Sequence, residues 1–121
     1  RGILVVDDNP VNTEVVQIML EQIGHTVETA ANGREAVTLV SERAYDLVLM
    51  DVQMPVLDGI QATHEIRAFK GDRKDTRIVA LTAGVLDRDR TICLEAGMND
   101  VLVKPLSLDS LRMAVQRWAF S

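Results

Sequence analysis

Five side chains carry most of the reactive potential of this sequence: Asp7, Asp8, Asp51, Thr82 and Lys104. Three carboxylates held close together repel one another, so either some bind protons or a cation sits among them. Oxygen ligands with room for water suit a hard ion such as Mg²⁺ (or Mn²⁺). No cluster of His and Cys offers a zinc site. A lysine ammonium and a threonine hydroxyl beside such an ion suit an anion with several oxygens. A phosphoryl group meets that description, and phosphoryl transfer depends mainly on positioning and charge neutralisation.

The elements around these residues explain why distant positions should meet. Gly2 to Val6 is an apolar run that stops at Asp7-Asp8. Asn9-Pro10 reads as an N-cap and a first-turn proline. Val15, Val16, Met19, Leu20 and Ile23 recur at helical spacing and predict one buried stripe, with Gly24 as the stop. Thr26 to Ala30 alternates and predicts an edge strand or one with an exposed face. A helix is expected over about Gly33 to Glu42. Asp46 to Met50 is apolar after its first residue, as in a central parallel strand, and Asp51 closes it. A loop with Pro55 and Gly59 leads into a helix to about Phe69. Gly71 to Arg77 reads as a solvated connection. Ile78 to Leu81 is a buried strand ending at Thr82, and a helix is expected over about Leu86 to Ala96 with Gly97 as its stop. Val101 to Val103 is a fifth strand ending at Lys104-Pro105. Leu108, Leu111, Val115 and Trp118 mark the last helix.

Five strands alternating with five helices, joined by right-handed crossovers, give a parallel sheet covered on both sides. In such a sheet the strand C-terminal ends share one edge, where ligands bind. All five reactive residues follow or close a strand, and that convergence says more than any one of them. Alone, Asp7-Asp8 reads equally well as a capping pair, Lys104 as a surface lysine and Thr82 as a strand-end hydroxyl bonded to backbone.

The bulk properties narrow the field. A chain of 121 residues fits one domain, residues 1–121, with one core. Aromatics are 3%, so aliphatic side chains must fill the interior. A net charge of −5 argues against direct nucleic-acid binding and against anionic membrane surfaces. No apolar stretch approaches membrane-spanning length. Cys93 is the only cysteine, which excludes an internal disulfide and agrees with a reducing compartment. It reads as a small half-buried residue.

Val5-Val6-Asp7-Asp8-Asn9, Met50-Asp51-Val52-Gln53-Met54-Pro55, Asp58-Gly59, Leu81-Thr82-Ala83 and Lys104-Pro105 together resemble the signature of receiver domains of two-component signalling. The resemblance covers nearly the whole chain, in order and spacing. It implies a flavodoxin-like (βα)5 three-layer α/β sandwich with strand order 2-1-3-4-5. It implies Asp51 as the nucleophile that takes a phosphoryl group from a phosphohistidine. Asp8, Asp51 and the backbone carbonyl of Gln53 would ligate Mg²⁺, with Asp7 acting through water. Lys104 would pair with the phosphoryl oxygens and Thr82 would swing in to bind one. Gln53, Ala83 and Gly84 would line the approach, and the Lys104-Pro105 bond would be cis.

Asn9-Pro10-Val11-Asn12 and Met50 to Pro55 look especially like receivers fused to hybrid sensor histidine kinases. The missing initial Met agrees with a segment excised from a longer chain. On that resemblance the partners are a histidine kinase domain as donor and a histidine phosphotransfer protein as acceptor. The domain would work in the cytoplasm even if its parent is membrane-anchored, as a monomer or as a weak dimer through helix four, strand five and helix five. Val101 stands where receivers often carry an aromatic residue, so the output is expected to travel through backbone and helix-four shifts.

Other readings compete. A degenerate receiver would serve as an interaction module without phosphorylation. A Mg²⁺-dependent phosphatase would need a second acid two residues after Asp51, where Gln53 stands. Thr63 to Arg67 resembles a phosphoacceptor-histidine segment, but His64 lies inside a predicted helix and reads as a surface residue. His25 is expected to be exposed in a loop. Arg73-Lys74 and Arg88-Asp89-Arg90 read as solvated mixed-charge patches. Trp118 reads as core or partner-facing.

Overall fold

A computed structural model describes residues 2–52, 54, 56–83, 87–104 and 106–119. The strands are β1 (Gly2–Val6), β2 (Val27–Ala30), β3 (Tyr45–Asp51), β4 (Ile78–Thr82) and β5 (Asp100–Val103). The helices are α1 (Pro10–Gln22), α2 (Gly33–Glu42), α3 (Gly59–Arg67), α4 (Asp87–Glu95) and α5 (Leu108–Trp118). All strand pairs are parallel and the order is β2-β1-β3-β4-β5, the flavodoxin-like arrangement.

Side chains alternate across a strand, so consecutive apolar residues feed two cores. Leu4, Val6, Val48 and Met50 join Ala36, Val40, Ala62 and Ile66 on the α2 and α3 side. Ile3, Val5, Leu47 and Leu49 join Val16, Leu20, Leu111 and Val115 on the α1 and α5 side. β1 and β3 are buried on both faces, and each large side chain there stabilises the fold by roughly 1.5–3 kcal/mol. β2 and β5 are the edge strands, and in β2 only Ala30 is buried.

Local signals set the helix starts. The Asn9 side chain accepts from the Val11 amide at 2.9 Å, and Pro10 opens α1 where an amide proton would have no partner. Asp58 accepts from Gln61 N–H at 2.8 Å and caps α3 in the same way. Ser107 and Ser110 cap α5 reciprocally, a capping box in which serine takes the place of the usual glutamate.

Several expectations need correction. Val15 is exposed rather than buried, because α1 turns only Val16 and Leu20 fully onto the sheet. His25 is half-buried, not exposed. The stretch read as a solvated connection contains a 3₁₀ turn at Asp72–Asp75. Within it, Arg73 donates to the carbonyls of Val40 and Ser41, each at 3.1 Å, and satisfies orphan acceptors at the end of α2. α3 ends two residues before Phe69, where the Ala68 amide is shared between the His64 and Glu65 carbonyls.

Candidate functional site

The sheet register brings the reactive residues to one edge. Val6 pairs with Met50, so Asp7 and Asp51 each stand one step further along adjacent strands. Asp51 pairs with Leu81, and Thr82 pairs with Val103, the residue before Lys104. Ladder bonds continue past the strand ends: Asp7 N–H donates to Ala30 at 3.1 Å, Val52 N–H to Leu81 at 3.1 Å and Lys104 N–H to Thr82 at 2.8 Å. The reactive side chains therefore hang from backbone fixed by the sheet.

The loop after β3 is pinned twice. Gly59 N–H donates to the Val52 carbonyl at 3.0 Å, and Gly33 N–H donates to the Leu57 carbonyl at 2.9 Å. At both glycines the place of a Cβ is taken by backbone, that of Asp51 for Gly59 and of Leu57 for Gly33. Close backbone approach is what glycine permits here.

Asp7, Asp8 and Asp51 each offer a carboxylate oxygen, and these oxygens lie within 4.8 Å of one another. Asp7 and Asp51 are buried and Asp8 is exposed. Lys104 Nζ stands 3.4 Å from both Asp7 Oδ2 and Asp51 Oδ1. Asp7 also accepts from the Asn9 amide at 2.9 Å and from Asn12 Nδ2 at 3.4 Å. Thr82 and Ala83 share a cavity of about 270 Å³ with Asp51 and Lys104.

Three carboxylates against one ammonium leave two negative charges at the edge. Two such carboxylates at this spacing repel by about 3 kcal/mol at an effective dielectric of about 20. The donor set is all oxygen and includes one exposed acid open to water. A hard divalent cation fits both the charge deficit and the ligand chemistry.

Gln53, Gly84 and Pro105, named above for a carbonyl ligand, the approach and a cis peptide, lie outside the described residues. His64 is exposed on α3 and stands apart from this cluster. Two contributors escaped the sequence reading. Asn12 reaches Asp7 from the first turn of α1, a placement that helical spacing after the Asn9 cap could have suggested. Asp89, read above as part of a solvated patch, lines the Asp51 cavity from α4. Its signal was the one-turn spacing to Cys93, which is buried in the same wall.

Comparison with known proteins gives a uniform picture. The family model described as the response regulator receiver domain matches residues 3–116. The chain is 46% identical over 118 residues to the sensor protein GacS of Pseudomonas syringae pv. syringae, covering 96% of this chain but 13% of that protein. It is 38% identical to hybrid signal transduction histidine kinase K of Dictyostelium discoideum, covering 94% of this chain and 10% of that protein. Among solved structures, the receiver domain of sensor histidine kinase PA1611 from Pseudomonas aeruginosa superposes with a TM-score of 0.90 at 47% identity, over 98% of this chain and 97% of that one. That receiver holds a magnesium ion coordinated in its active-site cleft. The receiver domain of Ssk1, bound to the Saccharomyces cerevisiae histidine phosphotransfer protein Ypd1, superposes with a TM-score of 0.88 at 33% identity, over 98% of this chain and 88% of that one. With the family model spanning nearly all of its length, and with this strand order and acidic edge, the chain belongs to the response regulator receiver domain family.

Proposed function

We propose that the chain accepts a phosphoryl group on Asp51 from a phosphohistidine of a histidine kinase domain and relays it to a histidine phosphotransfer protein. One observation carries this reading: three carboxylates and the Lys104 ammonium converge on a single sheet edge. A carboxylate oxygen of Asp51 attacks phosphorus, the P–O bond forms, and the P–N bond of the donor breaks. The imidazole leaves with the electron pair.

Asp8, Asp51 and the Gln53 backbone carbonyl are the proposed ligands of Mg²⁺ (or Mn²⁺), with Asp7 acting through water. When bound, the ion supplies positive charge for the transferring oxygens. Lys104 is held between Asp7 and Asp51 and supplies a second fixed cation. Thr82 donates its hydroxyl to the phosphoryl group. Ala83 is exposed and lines the same cavity, and it is proposed to line the phosphoryl approach together with Gln53 and Gly84.

The parent is proposed to be a hybrid sensor kinase, with residues 1–121 as one receiver unit that works in the cytoplasm even where that parent is membrane-anchored. Its likeness to GacS, of which it spans 13%, supports that reading. No helix among the described residues is long and apolar enough to cross a membrane. Val11, Val15 and Ile18 are exposed apolar residues on α1, the helix that follows Asp7 and Asp8, and suit a protein partner approaching this edge. Ile92, Leu94, Val103 and Met113 are exposed on α4, β5 and α5 and suit an output or weak dimer contact.

Incubation with acetyl phosphate and Mg²⁺ tests the core of this reading. The expected product is an acid-stable, hydroxylamine-labile label that Asp51→Asn abolishes. An unlabelled parent chain would instead identify a receiver that acts only as an interaction module.

A further inference from the structure

The cavity beside Asp51 has a charged wall that the phosphoryl chemistry above does not use. Asp89, half-buried on α4, lines this space of about 270 Å³ together with Asp51 of β3, Thr82 of β4 and Lys104. Val52, Ile92 and Cys93 add apolar surface to this lining, and Asp51, Thr82 and Lys104 supply its other polar groups. Ile92 in this wall is 52% exposed, so the cavity is open to solvent and the Asp89 field across it is one that added salt screens. A separate sign points the same way. The Cys93 thiol is pushed up first by burial and then by the Asp89 charge one helical turn away.

A small phosphodonor must bring its own negative charge into this cavity before it reacts. Resting on the receiver reading, we infer that Asp89 is a specificity-determining residue: its carboxylate charges the Asp51 cavity against small anionic phosphodonors. A protein phosphohistidine suffers less, because its surroundings can present compensating cations with the phosphoryl group. Asp89 thus biases loading towards a protein donor and away from free acyl phosphates. With acetyl phosphate the balanced step is attack of an Asp51 oxygen on phosphorus, formation of that P–O bond, cleavage of the bond to the acetyl oxygen, and departure of acetate with the electron pair.

The experiment compares the parent chain, Asp89→Asn and Asp89→Glu, loaded with acetyl phosphate or with the less anionic phosphoramidate in the presence of Mg²⁺. Labelling is followed by intact mass at about 0.05 M and about 0.5 M KCl. The asparagine variant should load from acetyl phosphate about three to ten times faster at low salt. The gain should be smaller with phosphoramidate and shrink at high salt, and glutamate should restore the parent rate. A loss of packing alone would show neither the salt dependence nor the donor dependence. Asparagine loading at the parent rate, or a gain equal at both salts, overturns the inference while leaving the receiver reading intact. A parent chain unlabelled by either donor overturns both.

Discussion

Gly59 and Asp51 are locked together through their backbones: the space a Cβ would need at Gly59 is occupied by the Asp51 carbonyl oxygen. The same Cβ would stand 3.0 Å from the Val52 Cα, so no flexible side chain can yield. Gly59→Ala must displace the end of β3, which carries one of the three acids. It should destabilise the chain by about 2 kcal/mol or more in urea unfolding. It should also weaken Mg²⁺ uptake, since the oxygens of Asp7, Asp8 and Asp51 would no longer share one spacing.

Removing the cation should expose the repulsion among those acids. In EDTA the chain should melt at a lower temperature than in saturating Mg²⁺. Binding to the folded state alone adds about 2.7 kcal/mol when the ion is at about 100 times its Kd. Asp8→Asn should remove most of this gain and leave the melt in EDTA unchanged or slightly raised. Thermal unfolding monitored by circular dichroism measures both effects.

Val56 occupies left-handed backbone with a φ of 69°, a costly conformation for a β-branched residue. The residue is 78% exposed, so little packing is lost on substitution. Val56→Gly or Val56→Asn should therefore stabilise the chain by roughly 1 kcal/mol. A lower urea midpoint for both variants would contradict this account.

Arg67 ties α3 to two distant segments. Its guanidinium donates to the carbonyls of Gly97, Lys74 and Thr76 at 2.8, 2.6 and 2.7 Å, and to Asn99 Oδ1 at 3.1 Å. Burial is the main reason its pKa is lowered, yet the planar fork matches these acceptors. Lysine cannot reproduce the fork, so Arg67→Lys should cost about 2–3 kcal/mol in chemical denaturation.

Tyr45 is the only tyrosine, so phenolate absorbance reports it alone. Burial and the hydrogen bond to Glu28 at 2.8 Å push its pKa up to about 12. The unfolded phenol ionises near 10, so the folded chain holds this proton over the interval between. The stabilisation is complete below about pH 10 and is lost as pH rises towards 12. Tyr45→Phe should flatten that part of the stability profile. A phenolate titration midpoint near 10 in the folded chain would count against it.

Much of the fold was legible because it follows from local rules. The apolar runs at Gly2 to Val6 and Asp46 to Met50 read as buried parallel strands, since only a sheet covered on both faces buries consecutive side chains. Asn9-Pro10 marked a helix start through cap chemistry that neighbouring residues decide. Asp7, Asp8, Asp51, Thr82 and Lys104 were singled out because each follows or closes a strand. Parallel topology sends all such positions to one edge.

What the sequence could not decide was contact between segments far apart in the chain. Arg73 looked like a solvated charge until the fold set it against the open carbonyls of Val40 and Ser41. Val15 fitted the helical stripe, but the limited area that α1 shares with the sheet leaves it exposed. Asp89 belonged to a mixed-charge run, and only the docking of α4 against β5 brought it into the cavity that Asp51 lines. Periodicity tells which face of a helix is apolar. How far that face reaches, and which polar groups at its border meet another element, is settled by packing alone.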